Sequence, residues 1–216
     1  MRITGGIYRG RTILCPPGEI RPSMDRMRQS LFSILGNLEG ASFLDLFSGS
    51  GILGVEAASR GAAPVLLVEK DPKKKSSIVK NISFVQTSIE LVIAPVERFL
   101  RTNRRAWDII FLDPPFAREG KEAILDEAGA APHLAPDGLV ILHLHSAEKL
   151  SVDERPGLEL ADRRTYGQSL LLFFRPRSAI PADRADPADP ADRADPADTA
   201  DLDDPTDPAI GANPGG

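Results

Sequence analysis

The chain has one cysteine, Cys15, in 216 residues, so no intramolecular disulfide can form and a reducing compartment is expected. No stretch approaches the roughly 20 consecutive apolar residues of a membrane span. Met1-Arg2-Ile3-Thr4-Gly5 leads directly into a basic segment with no apolar signal-peptide core, so a cytoplasmic location is expected. Histidine is scarce as well. His143 and His145 fall on one face of an expected strand, flanking its end, but no nearby Cys, Asp or Glu completes a ligand set, and no metal is expected.

The C-terminal segment lacks large apolar side chains. From 178 onward nothing larger than Leu202 and Ile210 could contribute to a core, and from Ala182 the chain repeats Ala-Asp-Pro or Ala-Asp-Arg triplets. Proline at this density blocks helix and sheet, so 178–216 is expected to be a disordered acidic tail. It holds ten Asp and two Arg, a net of −8 in a chain whose total is −5, so residues 1–177 carry +3. The acidic total therefore hides a mildly basic body, which matters for nucleic acid because phosphate contacts supply most non-specific affinity. Residues 1–28 concentrate that charge. They hold Arg2, Arg9, Arg11, Arg21, Arg26 and Arg28 against Glu19 and Asp25, a net of +4. Arginine favours bidentate phosphate and guanine contacts, although the segment also reads as a solvated basic face. Gly5, Gly6 and Gly10 suggest a small hairpin, and Ser23 an N-cap for a helix reaching Leu35.

Two motifs carry chemistry. The apolar run Trp107-Asp108-Ile109-Ile110-Phe111-Leu112 reads as a buried strand and ends in Asp113-Pro114-Pro115-Phe116. Two prolines lack donors and fix φ, which makes a stiff loop with an acceptor side chain, free carbonyls and an aromatic face. That set suits an exocyclic nucleobase amine: Asp113 and the Pro114 carbonyl accept its two N–H bonds while Phe116 stacks on the ring. The alternative is a loop whose Asp113 caps the next helix. Upstream, a strand over 42–46 carries Asp45. It is followed by a turn over 47–50 and a helix over 51–60, with Gly49-Ser50-Gly51-Ile52-Leu53-Gly54 matching G-x-G-x-x-G. Glycines at such a turn let the backbone approach a ligand. Asp45 ahead of them would repel a pyrophosphate but suits the cationic amino-acid end of S-adenosylmethionine. A second strand ends in Glu69, placed to accept from both hydroxyls of a ribose.

The order Asp45, Gly49-Ser50-Gly51, Glu69 and Asp113-Pro114-Pro115-Phe116 resembles the Class I S-adenosylmethionine-dependent methyltransferases that modify amines. Arg2-Ile3-Thr4-Gly5-Gly6, Arg9-Gly10-Arg11, the Arg21–Arg28 segment and Tyr166-Gly167-Gln168-Ser169 narrow this to a resemblance with bacterial 16S ribosomal RNA guanine-N2 methyltransferases, over residues 1 to about 177. The resemblance implies that Asp45, Phe47, Ser48, Gly49, Gly51, Glu69, Lys70 and Val96 line the cofactor site. It also makes Asp113, Pro114, Pro115 and Phe116 catalytic, and Arg2, Arg9, Arg11, Arg26 and Arg28 RNA-binding. The implied partner is 16S rRNA, free or in an assembling small ribosomal subunit, met by a monomer without metal. One departure stands out: Pro95-Val96 follows the third strand where such enzymes carry Asp or Asn for the adenine amine. The Val96 N–H can still serve, and Glu97 reads either as a substitute acceptor or as a solvated first-turn residue.

Strands at 42–46, 65–69, 89–94, 107–112 and 139–144 alternate with helices at 51–60, 72–85, 96–102 and 120–129, the pattern of an α/β parallel sheet covered on both faces. A closing hairpin is expected from Gly157 to Phe174. The resemblance implies a Rossmann-like seven-stranded sheet with its last strand antiparallel, preceded by a hairpin and helix extension over 1–40 and spanning 41–177. The lysines at 73–75 and Arg104-Arg105 read as ordinary solvated charge. Other readings keep part of the pattern. An adenine-N6 or cytosine-N4 methyltransferase shares the proline loop. An NAD-dependent oxidoreductase shares the glycines and Glu69, and a non-catalytic RNA-binding protein needs only the arginines.

Overall fold

The structure is a computed structural model that describes residues 1–15, 22–151 and 155–177. These lie within one compact unit, Met1–Ser178. The acidic tail and Arg21 lie outside the described residues.

Helix α1 spans Pro22–Leu35, so Ser23 lies within its first turn and not at the position before it. Proline suits that first position, because its ring presets φ and the N–H it lacks has no intrahelical acceptor there. The elements that follow are β1 Phe43–Leu46, α2 Ile52–Ser59, β2 Val65–Glu69, a 3-10 turn Pro72–Lys74, α3 Lys75–Ile82, β3 Ile89–Ile93, α4 Val96–Thr102, β4 Trp107–Leu112, α5 Lys121–Gly129, β5 Leu134–His145, β6 Leu158–Tyr166 and β7 Ser169–Pro176. Two expectations shift. The helix expected over 72–85 opens as a 3-10 turn, because the Asp71 side chain accepts the Lys73 amide, and α3 ends at Ile82. Strand β5 begins at Leu134, ahead of 139, because Trp107 already pairs with Leu134 and a register shift before Ile109 absorbs the Pro136-Asp137-Gly138 stretch.

The seven strands lie in the order β3-β2-β1-β4-β5-β7-β6. The first five are parallel, and β7 runs antiparallel to both β5 and β6. The seven-stranded α/β sheet with an antiparallel last strand is therefore present. Successive side chains of a strand point to opposite faces, so each strand feeds two cores. Phe43, Ile109 and Phe111 pack with Leu31 and Phe32 of α1 and Val55 and Ala58 of α2. Leu44, Ile110 and Leu112 pack with Phe99 and Leu100 of α4 and Ile124 and Leu125 of α5. Truncating a side chain such as the fully buried Phe111 to Ala should cost about 3–5 kcal/mol.

The N-terminal segment joins the first of these cores through Ile3, Tyr8 and Ile13. Arg2 and Thr12 form an antiparallel bridge, the hairpin its glycines suggested. The segment docks on the end of α2: Ile7 N donates to Ser59 O, Tyr8 N to Ser59 Oγ, and Ser59 Oγ to Gly5 O. Gly6 is required there, since a Cβ would lie 1.8 Å from Ser59 O and φ is +73°.

Candidate active site

Strand order reverses between β1 and β4, and in open α/β sheets ligands bind at the strand C-termini beside that switch. Asp45 comes from β1, Glu69 ends β2, and Asp113 follows β4. Three carboxylates distant in sequence thus gather at one rim of the sheet.

Asp45 is fully buried. Its Oδ2 accepts the Gly54 amide at 3.3 Å, while Oδ1 has no hydrogen-bond partner among the described residues. Burial pushes its carboxyl well above the usual range; the Asp113 charge and, less strongly, the Glu69 charge add to this, against the Gly54 amide. A buried acceptor without a donor carries a desolvation cost that a cationic or N–H-bearing ligand removes. Ser48 Oγ is likewise buried and unpartnered among the described residues. The turn after β1 holds Phe47 at φ +67° and Gly49 at φ +57°. A Cβ on Gly49 would meet nothing closer than Phe47 O at 3.9 Å, so this turn presents open backbone. Gly54 does the opposite, for a Cβ would lie 2.2 Å from Leu67 Cδ2: it lets α2 pack on β2. Gly51 leads into α2 at φ +77°.

Glu69 is buried and held on both oxygens. Oε2 accepts the Gly49 amide at 2.9 Å and the Lys74 Nζ at 3.2 Å, and Oε1 accepts the Asp71 amide at 2.9 Å. Lys74, expected to be ordinary solvated charge, is thus part of the site, whereas Lys70 is exposed. At the next strand end, Val96 opens α4 and is buried. First-turn amides have no intrahelical acceptor, so its N–H is the group available there. Glu97 forms an ion pair with Arg118, whose guanidinium also lies 5.5 Å from the Phe47 ring centroid. Its own backbone amide, and then Arg118, hold the Glu97 carboxyl below the usual range. Glu97 is therefore a paired residue, bridging the start of α4 to the loop after β4.

That loop is stiffened from several sides. The Asp113 amide donates to Leu46 O at 3.3 Å, and the Arg118 amide to Pro115 O at 2.8 Å. Pro114 is buried, while Pro115 and Phe116 are exposed. Lys121, itself buried, donates from Nζ to Phe116 O at 2.8 Å and pairs with Glu148. Glu148 in turn accepts the His145 amide at 3.1 Å. The Phe116 ring makes T-shaped contacts with His143 and His145, with ring centroids 5.7 Å and 5.5 Å apart. His143 Nδ1 lies 2.7 Å from Asp113 Oδ1. Asp113 does not cap α5, whose N-cap is Gly120 without a side-chain bond. Only the histidine count and its strand placement hinted at this network in the sequence; its partners come from other strands and loops.

Of the arginines expected to meet RNA, Arg2, Arg9, Arg11 and Arg26 are exposed. Arg11 spreads its guanidinium 4.5 Å from the Phe84 ring centroid. Arg28 does not belong with them. It is 3% exposed, donates to Arg2 O at 2.7 Å and pairs with Glu56 at 3.6 Å. Glu56, fully buried on α2, also accepts from the Thr4 and Gly5 amides, the Thr4 hydroxyl and Arg60. A charge in that setting anchors the N-terminal segment and cannot reach a phosphate in solvent.

Among the described residues no group of three or more His, Cys, Asp or Glu could hold a metal ion, and no helix is long and apolar enough to cross a membrane.

Comparison with known proteins bears on this site. A family described as Conserved hypothetical protein 95 matches residues 1–175. Ribosomal RNA small subunit methyltransferase D of Escherichia coli K12 is 39% identical over 122 residues, covering 55% of this chain and 61% of that protein, so the match spans less than two thirds of that relative. The Haemophilus influenzae protein of the same name is 30% identical over 161 residues, covering 71% of this chain and 83% of its own length. The solved Escherichia coli protein yhhF superposes with a TM-score of 0.72 at 30% identity, over 82% of this chain and 98% of that one. With residues 1–175 matched as a whole and the sheet shared with a solved relative over almost all of its length, the chain belongs to the Conserved hypothetical protein 95 family, that of the ribosomal RNA small subunit methyltransferase D proteins.

Proposed function

We propose that this protein transfers a methyl group from S-adenosylmethionine to the exocyclic N2 of a guanine in small-subunit ribosomal RNA. The observation that carries the reading is Asp113 at the tip of β4, braced by a buried Pro114, beside the crevice that Asp45 and Glu69 line. The relatives' names supply the RNA.

The residues fit the cofactor. The unpartnered Asp45 Oδ1 and Ser48 Oγ suit its amino-acid end, and the open backbone at Gly49 gives it room. Glu69 retains lone pairs for a ribose, and the Val96 amide is available to the adenine. When bound, the cofactor supplies an electrophilic methyl group on a sulfonium. The protein's part is positioning. Guanine N2 is a weak nucleophile because its lone pair is delocalised into the ring. Accepting its two N–H bonds at Asp113 and the Pro114 carbonyl favours a tetrahedral nitrogen and directs the lone pair outward. Geometry of that kind supplies most of the acceleration. The base must leave its stack, and Phe116 offers a replacement surface. No strong base is needed, since the amine proton becomes acidic only as the new bond forms.

The same loop can serve an adenine N6 or a cytosine N4, so the base is settled by experiment. Nucleoside mass spectrometry of 16S rRNA from a deletion strain should show loss of N2-methylguanosine, restored by the wild-type gene. Asp113→Ala should not restore it, and in vitro should lower turnover about a hundredfold while retaining cofactor binding. Unchanged rRNA methylation in the deletion strain would refute the function. A full-rate Asp113→Ala enzyme would remove the loop from catalysis.

A further inference from the structure

We infer that His143 is a positioning residue for methyl transfer, holding the Asp113 carboxylate in the orientation that receives the target amine; this rests on the function proposed above. His143 lies on β5 and is only 1% exposed, on the face of the strand opposite to Leu142 and Leu144. Its Nδ1 is 2.7 Å from Asp113 Oδ1, and its Nε2 is buried with no partner among the described residues.

The tautomer follows from the geometry. Two lone pairs cannot face each other at hydrogen-bond distance, so one proton must lie between Nδ1 and Oδ1. Carried on Nδ1, that proton is donated to Oδ1, and Nε2 on the far side of the ring is left buried without a partner among the described residues. An unsatisfied buried nitrogen costs stability that a leucine at the same place would not. The compensating contact is the bond to Asp113. That bond engages Oδ1 and fixes the carboxylate plane, and hence the direction of the Oδ2 lone pairs, on a side chain 25% exposed. The His143 and Phe116 ring centroids also lie 5.7 Å apart in a T-shaped contact, so one imidazole borders both groups that the proposed mechanism uses on the base. Asp113 is otherwise tethered through its backbone to Leu46, which leaves the rotation of its carboxylate unconstrained. His143 supplies that constraint across the sheet, from the neighbouring strand.

The test uses three variants of the full chain with small ribosomal subunits lacking the modification and radiolabelled S-adenosylmethionine. His143→Asn keeps an N–H near the position of Nδ1, His143→Gln moves it to the position of Nε2, and His143→Leu removes it. His143→Leu and His143→Gln should lower kcat by about ten- to a hundredfold, the range for losing one hydrogen bond to a charged group, with KM for the RNA and affinity for S-adenosylhomocysteine within about twofold of wild type. His143→Asn should recover most of the rate. Should His143→Leu fail to fold, the Asn and Gln pair decides. Equal rates for Asn and Gln, or a wild-type rate for Leu or Gln, overturn the inference while leaving the function intact. A wild type inactive both on these subunits and on free 16S rRNA lacking the modification instead overturns the function.

Discussion

Glu69 Oε2 accepts the Gly49 amide at 2.9 Å, which ties the tip of β2 to the open turn after β1. With Asp71 and Lys74 on the same carboxylate, the wall that would face a ribose is set before any ligand arrives. A side chain held in this way loses little entropy on binding.

Glu69→Ala removes both the acceptor and the tie. Affinity for S-adenosylhomocysteine should fall by about 1–3 kcal/mol, from charged hydrogen bonds lost. Titration calorimetry reads this directly. An unchanged Kd would mean that Glu69 only braces the turn.

Asp45 predicts a pH-dependent stability. Burial raises its folded-state pKa above the unfolded value, so the native state holds the proton more tightly. Stability from this group is complete below the unfolded pKa, about 3.9, and is lost as pH rises through the folded pKa. Asp45→Asn abolishes that titration. The Tm of the variant should match wild type near pH 4 and exceed it increasingly as the pH rises through the folded-state value of Asp45. The same variant should bind S-adenosylhomocysteine more weakly, because an amide cannot pair with an ammonium as a carboxylate does. A Tm difference that stays flat with pH contradicts the buried, uncompensated carboxylate.

Two groups of charges near the N-terminus should respond oppositely. Glu56→Ala removes the buried acceptor shared by Arg28, Arg60 and the Thr4 and Gly5 amides, leaves Arg28 to Asp25 and Arg2 O, and frees the docked segment, at a cost of about 3–5 kcal/mol in denaturant unfolding. Replacing the exposed Arg2, Arg9, Arg11 and Arg26 should scarcely change stability. It should weaken RNA binding and flatten its salt dependence by about one slope unit per lost phosphate contact. Salt-titrated affinities that do not change on replacing these arginines would show that RNA binds elsewhere.

Removing 178–216 deletes a net charge of −8 and no plausible core. Folding and cofactor affinity should be unchanged, and RNA affinity equal or slightly higher through relief of repulsion. Weaker RNA binding by the truncated chain would assign the tail a role in recognition.

The sequence by itself determined the sheet class, most strand positions and the three carboxylates at strand ends. These features are local: glycine at a turn, two prolines after a buried run and alternating apolar stretches each restrict the backbone within a few residues. The exposed arginines were legible too, as charge. What only the tertiary structure decided is which charges meet. Arg28 looked like its five neighbours until Glu56, on another helix, drew it inside. Lys74 looked like surface charge until the turn after β2 brought it to Glu69. Glu97 found Arg118 across two loops. His143 became part of the site because β5 pairs with β4, so that a residue thirty positions from Asp113 in sequence lies beside it. Local propensity carries no information about such pairs, since strand order and the packing of helices on the sheet set them.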